Sequence, residues 1–228
     1  FLGNPDSVVE AAFEAISTAA RVIDMRQHTG AHARMGATDV CPFVPVSGIT
    51  MQECVDLAKG LAQRVAEELN IPVYLYEEAA VLEERRNLAT IRSGEYEGLE
   101  EKLKDTTWTP DYGPSEFNAR SGATAIGARE FLIAYNINLN TRDRRKASKI
   151  ALTIREKGRA KRDQDNQIIR DENGVALREP GRFKAVKAVG WYMDDFGCAQ
   201  ISMNLVNYRI TPPHIVFDEC CRLASEMG

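Results

Sequence analysis

Hydrophobic and polar positions along the chain fall into helical and strand-like stretches separated by loops. Val9, Ala12, Phe13, Ile16 and Ala20 recur at three- and four-residue steps, the spacing that lays apolar side chains along one helix face. Ser7, with Glu10 three residues on, reads as a capping box at the start of that helix. Thr50 and Glu53 give the same signal ahead of Val55, Ala58, Ala62, Val65 and Leu69, and Asn70 with Pro72 marks the end. Residues 71–76 then read as a short strand. Between these helices, residues 24–48 are rich in Gly and Pro, lack sustained periodicity and hold two of the three histidines. Loops of this character on an α/β scaffold carry function.

In the second half, residues 131–139 read as a strand whose end alternates, with Tyr135, Ile137 and Leu139 on one face and Asn136 and Asn138 on the other. A helix over about 141–157 follows, with Ala147, Ile150, Ala151 and Ile154 inward and Gly158 as its stop. Strands are predicted over about 183–192 and 198–208, the second alternating Ala199, Ile201, Met203 and Leu205 against Gln200, Ser202 and Asn204. Thr211 and Pro212 open a last helix. The order β-α-β-β-α is a ferredoxin-like unit without its closing strand, and the first half opens directly into a helix. The expectation is an α/β (α+β) fold of two ferredoxin-like-type subdomains, residues 1–129 and 130–228. Each is a mixed sheet with helices on one face, in a segment cut at both ends. In that fold the first and third strands of the second unit are neighbours. Their helix-free face carries Asn136, Asn138, Gln200, Ser202 and Asn204, which either meet a polar ligand or pair with the other subdomain.

Composition narrows the function classes. With 44% hydrophobic and 27% charged residues, the chain has the make-up of a globular protein. A net charge of −4 gives no global electrostatic case for nucleic acid or a membrane surface. No apolar run approaches the roughly 20 residues that span a bilayer, and the first residues lack the basic and apolar regions of a signal peptide. A cytoplasmic location is expected. Cys41, Cys54, Cys198, Cys220 and Cys221 have no metal-ligand spacing and read as incidental thiols, with Cys220 and Cys221 on a helix face. Residues 155–187 hold ten basic residues against six acidic ones. Within them, 164–179 reads as an inserted β-hairpin arm turning at Asp171-Glu172-Asn173-Gly174. The arm is either solvated or a collector of a chain of carboxylates.

The run Gly30-Ala31-His32-Ala33-Arg34-Met35-Gly36-Ala37-Thr38-Asp39-Val40-Cys41-Pro42-Phe43-Val44-Pro45 closely resembles the signature of the formiminotransferase family. Residues 72–76, 91–96, 110–115, 122–124, 127–129, 131–139, 190–192 and 200–205 resemble further blocks of the same family in the same order, so the likeness covers essentially the whole chain. One departure stands out: the family usually has Glu-His-Pro-Arg-Met-Gly, and Ala31 and Ala33 replace the Glu and the Pro here. The change removes a possible carboxylate partner and a φ constraint beside the histidine.

The resemblance implies a transferase that moves the formimino group of N-formimino-L-glutamate to tetrahydrofolate in histidine degradation. It implies tetrahydrofolate as co-substrate and no metal, and a homodimer and a cyclodeaminase partner are both compatible with it. It implies His32 as the catalytic residue, and the chemistry agrees, because one near-neutral imidazole can take a proton from the attacking nitrogen and return it to the leaving amine. Asp39 either orients that imidazole or caps its own loop. Arg34 either clamps a glutamate carboxylate or forms a structural ion pair. Asn136, Asn138 and Asn204 are candidates for substrate binding. Gly113, Pro114, Ser115, Glu116, Phe117, Asn118, Ala119, Arg120, Ser121 and Gly122 resemble the family's folate-binding segment, and lack the phosphate-loop pattern. Two other readings compete: a hydrolase acting on formimino-glutamate with water, and a folate-binding paralogue without activity.

Overall fold

A computed structural model describes residues 1–29 and 33–228. The chain divides into two compact units, Phe1–Arg129 and Glu130–Gly228. The first begins with helix α1 (Pro5–Val22). Its cap is Asn4, whose Oδ1 accepts from Ser7 N at 3.0 Å, with Pro5 at the first helical position. The helix therefore starts ahead of the Ser7–Glu10 capping box, because Asn-Pro supplies both an acceptor and a preset φ. Strand β1 (Val40–Phe43) is followed by helix α2 (Met51–Leu69). The Thr50–Glu53 capping box is present in both directions, and Asn70 closes α2 in the left-handed conformation.

Strand β2 (Val73–Glu77), short helices α3 (Leu88–Ile91) and α4 (Leu99–Lys104), and strand β3 (Thr124–Ala128) complete this unit. β3 is central, and β1 and β2 pair with it in parallel. Single antiparallel bridges, Gly36 to Gly122 and Val73 to Tyr112, extend the ladder at its ends. Phe43, Val73, Leu75 and Ile126 face α1 and α2, burying Phe13, Ile16, Leu61 and Val65. The opposite face is covered too: Tyr74, Tyr76 and Ala125 pack with Ile91, Leu99 and Leu103. Cover on one face was expected, but a parallel sheet is stable with both faces buried. Each fully buried large apolar side chain contributes roughly 1.5–3 kcal/mol.

The second unit runs β4 (Ile133–Asn138), α5 (Arg144–Ile154), β5 (Arg159–Ala160), β6 (Arg178–Glu179), β7 (Val186–Met193), β8 (Cys198–Leu205) and α6 (Pro213–Glu226). The sheet order is β4-β8-β7, antiparallel throughout, which makes the first and third long strands neighbours, as in a ferredoxin-like unit. Ile137, Ala188, Ile201, Met203 and Leu205 are buried under Ile150, Ile154, Val216 and Cys220 of α5 and α6.

Between β5 and β6 the arm is a duplicated turn. Arg162 reaches Asn166 O and Arg170 reaches Gly174 O, while Asp163 and Asp171 accept equivalent backbone N–H groups. Three bonds, Ile169 N to Lys161 O, Leu177 N to Ile169 O and Lys161 N to Leu177 O, close a ring at eight-residue spacing.

Candidate active site

The signature loop leads into β1, and described residues on both sides of 30–32 are tied by one side chain. Arg34 donates to Glu97 Oε1 at 2.6 Å and Oε2 at 2.8 Å, to Glu95 Oε2 at 3.3 Å and to His28 O at 3.1 Å. The bidentate bond to Arg34 holds the Glu97 carboxyl at about 2, and the same bond raises Arg34. His32 itself lies outside the described residues.

Asp39, immediately before β1, caps the loop and carries an ion pair. Its Oδ1 accepts from Met35 N at 2.9 Å, and Oδ2 pairs with Arg92. Both partners are only about one-fifth exposed, so the pair is worth more than a solvated one. Arg92 Nε is buried without a hydrogen-bond partner among the described residues.

Residues 113–122 run alongside this loop. Ser121 O accepts from Ala37 N at 2.8 Å, and Met35 O accepts from Ala123 N at 3.0 Å. Gly122 has φ +68, and a Cβ there would lie 2.1 Å from Met35 O. Gly113, at φ +87, would put a Cβ 2.7 Å from Ile71 O. Both glycines therefore permit close packing of the protein's own backbone.

Asn118 Oδ1 accepts from Ser121 N and its Nδ2 donates to Asn70 O. Arg120 donates to Ala20 O and Arg21 O at the C-terminal end of α1, a favourable place for a cation. Phe117 packs on Tyr96 with ring centroids 5.5 Å apart, and Tyr96 donates its hydroxyl to Ala119 O at 2.6 Å. Pro114 is half-buried, and Ser115 and Glu116 are exposed. Just upstream, buried Arg85 pairs with Asp111 Oδ1 at 3.0 Å and with the carbonyls of Thr107 and Thr109, while Asp111 Oδ2 accepts from Leu75 N. That network pins the entry to 113–122 onto β2.

The first unit thus gathers Arg34, Asp39 and the 113–122 segment around the 92–97 turn. Thr29, Arg34, Gly94, Glu95 and Glu97 line a pocket of about 360 Å³ there. Asn136, Asn138 and Asn204 belong to the second unit, on the helix-free face of its sheet, where Asn136 lies opposite Ser202 and Asn138 opposite Gln200. Sequence reasoning gave no role to Arg92, Glu95, Tyr96 or Glu97. Their segment has neither helical nor alternating spacing; Arg92, Glu95 and Tyr96 stand in a resembling block, and Glu97 lies just outside it.

Burial pushes the Cys41 thiol up to about 11 and Cys220 up to about 12, so neither is a ready nucleophile. Among the described residues, no group of three or more His, Cys, Asp or Glu is placed to hold a metal ion. No helix among them is long and apolar enough to cross a membrane.

Both units match family models. Residues 1–129 match the formiminotransferase domain, N-terminal subdomain, and residues 134–228 match the formiminotransferase domain. The chain is similar to the formimidoyltransferase-cyclodeaminase of Rattus norvegicus, at 51% identity over 100% of this chain and 39% of that relative. It is similar to the protein of the same name from Dictyostelium discoideum, at 50% identity over 100% of this chain and 39% of the relative. The glutamate formimidoyltransferase of Thermoplasma acidophilum is 44% identical over 96% of this chain and 65% of its own length. The chain therefore spans less than two thirds of these relatives.

Proposed function

The chain belongs to the formiminotransferase domain family, and from that premise we propose that it transfers the formimino group of N-formimino-L-glutamate to tetrahydrofolate, yielding 5-formiminotetrahydrofolate and L-glutamate. The observation that carries the proposal is the match of both units, in order, to the family, with the signature loop anchored by Asp39 to Arg92 and by Arg34 to Glu97.

In this reading a folate nitrogen attacks the amidine carbon, a tetrahedral adduct forms, and the C–N bond to glutamate breaks. The attacking nitrogen loses one proton and the departing amine gains one. His32 carries that proton. Asp39 acts on the histidine through the backbone it caps, since both its oxygens are engaged by Met35 N and Arg92. Arg34 braces the loop through Glu97. Residues 113–122 form the folate-binding segment through backbone groups and the Phe117 ring, because the side chains of Asn118 and Arg120 are spent on internal bonds. Asn136, Asn138 and Asn204 bind the glutamate portion of a ligand. The reaction belongs to histidine degradation in the cytoplasm, and a cyclodeaminase that consumes the product is the natural partner.

Ala31 and Ala33, where the family usually has Glu and Pro, favour a second reading as a folate-binding relative without turnover. One assay separates the readings: release of glutamate from formimino-glutamate with and without tetrahydrofolate. Transfer requires both compounds, hydrolysis proceeds without the folate, and the inactive relative releases nothing in either.

A further inference from the structure

Trp191, Gln200 and Asn138 stand in one row across three adjacent strands. Trp191 lies opposite Gln200 between β7 and β8, and Asn138 lies opposite Gln200 between β4 and β8. Trp191 Nε1 donates to Gln200 Oε1 at 2.8 Å, and Gln200 Nε2 donates to Asn138 Oδ1 at 2.7 Å. Gln200 is 2% exposed, whereas Asn138 is exposed.

The direction of this relay follows from which groups can only donate. An indole N–H has no acceptor capacity. It claims the oxygen of Gln200 and turns that amide so that its NH2 faces Asn138. The NH2 in turn claims Oδ1 of Asn138, which leaves Nδ2, a donor, at the exposed end. Turned the other way, Gln200 would set its NH2 against the indole N–H and deprive that donor of its acceptor, a cost of about 1–3 kcal/mol. The β4 and β8 residues on this face are Ala134, Asn136, Asn138, Gln200, Ser202 and Asn204, and none carries a negative charge.

We infer that Asn138 presents a fixed N–H donor to a carboxylate of a bound ligand, and that Trp191 and Gln200 are the residues that position it. The inference rests on the transfer reaction proposed above, in which both compounds carry glutamate carboxylates, so either can supply the acceptor.

Asn138→Asp keeps the acceptor that Gln200 needs and turns the outward donor into an anionic acceptor. Asn138→Ala removes the donor only. Gln200→Glu leaves Asn138 in place but offers it an acceptor, so its NH2 turns inward and its oxygen outward. The whole chain and each variant are compared for KM with formimino-glutamate and for Kd with tetrahydrofolate by calorimetry, with Tm as the check on folding. Asn138→Asp is expected to raise one of the two constants at least ~20-fold, and Asn138→Ala to raise the same constant ~3- to 10-fold, with kcat changed little. Gln200→Glu raises that same constant with Asn138 intact. The constant that moves identifies the ligand.

Asn138→Asp within two-fold of wild type in both constants would overturn the inference, and so would Asn138→Ala equal to Asn138→Asp. Lack of folate-dependent turnover in the wild type would count against the transfer reaction. Calorimetry of wild type and Asn138→Asp with tetrahydrofolate and with L-glutamate would still decide the donor.

Discussion

Arg34 and Asp39 of the signature loop each make more than one side-chain bond, and each makes a measurable demand. Glu97, bonded through both oxygens to Arg34, titrates at about 2 rather than 4.5. A carboxyl depressed on folding contributes stability above its unfolded value, and that contribution is lost as pH falls from about 4.5 toward 2. Carboxyl carbon shifts of Glu97 should therefore show a midpoint far below 4.5, and a midpoint at 4.5 would mean that the Arg34 fork is absent in solution. Asp39→Asn weakens the Arg92 pair while keeping an oxygen for Met35 N, so urea unfolding should register a loss of about 1–3 kcal/mol. Turnover should fall less than on removal of His32, because Asp39 acts through the loop.

Among single residues, His32, Arg34 and Asp39 are singled out by the sequence because they sit inside a recognisable run, and of these the structure describes Arg34 and Asp39. The partners Glu97 and Arg92 lie 63 and 53 positions away. Only the fold brings such distant residues together, and no spacing rule reaches that far.

At the scale of elements, the long helices and the antiparallel strands were legible because each buries one face and so carries a clean period. β1 and β3 were not. They are short parallel strands; β3 is buried along its whole length, so alternation is lost. β1 contains Pro42, tolerated on the edge strand it forms. Gly127 in β3 looks like a breaker, yet a Cβ there would lie 2.3 Å from Tyr76 O, so glycine is what the central strand needs.

The junction between the signature loop and the 113–122 segment has the same dependence on missing Cβ atoms. Gly122→Ala adds a 2.1 Å clash with Met35 O to a left-handed φ, and should cost at least ~3 kcal/mol in thermal or urea unfolding. Gly174, at φ +76 in the arm with nothing within 4 Å of a built Cβ, is the control. Its alanine variant should lose only about 1–2 kcal/mol of left-handed strain. Equal losses at the two positions would show that the loop and the 113–122 segment do not pack as described.

At the scale of the molecule, each unit matches its own part of one family, and the residues assigned to proton transfer and folate binding lie in the first unit while the polar sheet face lies in the second. The central claim is that His32 carries the proton in a folate-dependent transfer. The most direct test is the turnover number of His32→Ala with both compounds saturating. A fall of roughly 10²–10⁴, with tetrahydrofolate still bound within a few-fold, is the expected result for loss of a general acid–base group. A variant that kept more than about a tenth of wild-type turnover would have lost less than about 1.4 kcal/mol of transition-state stabilisation, and that would contradict the mechanism.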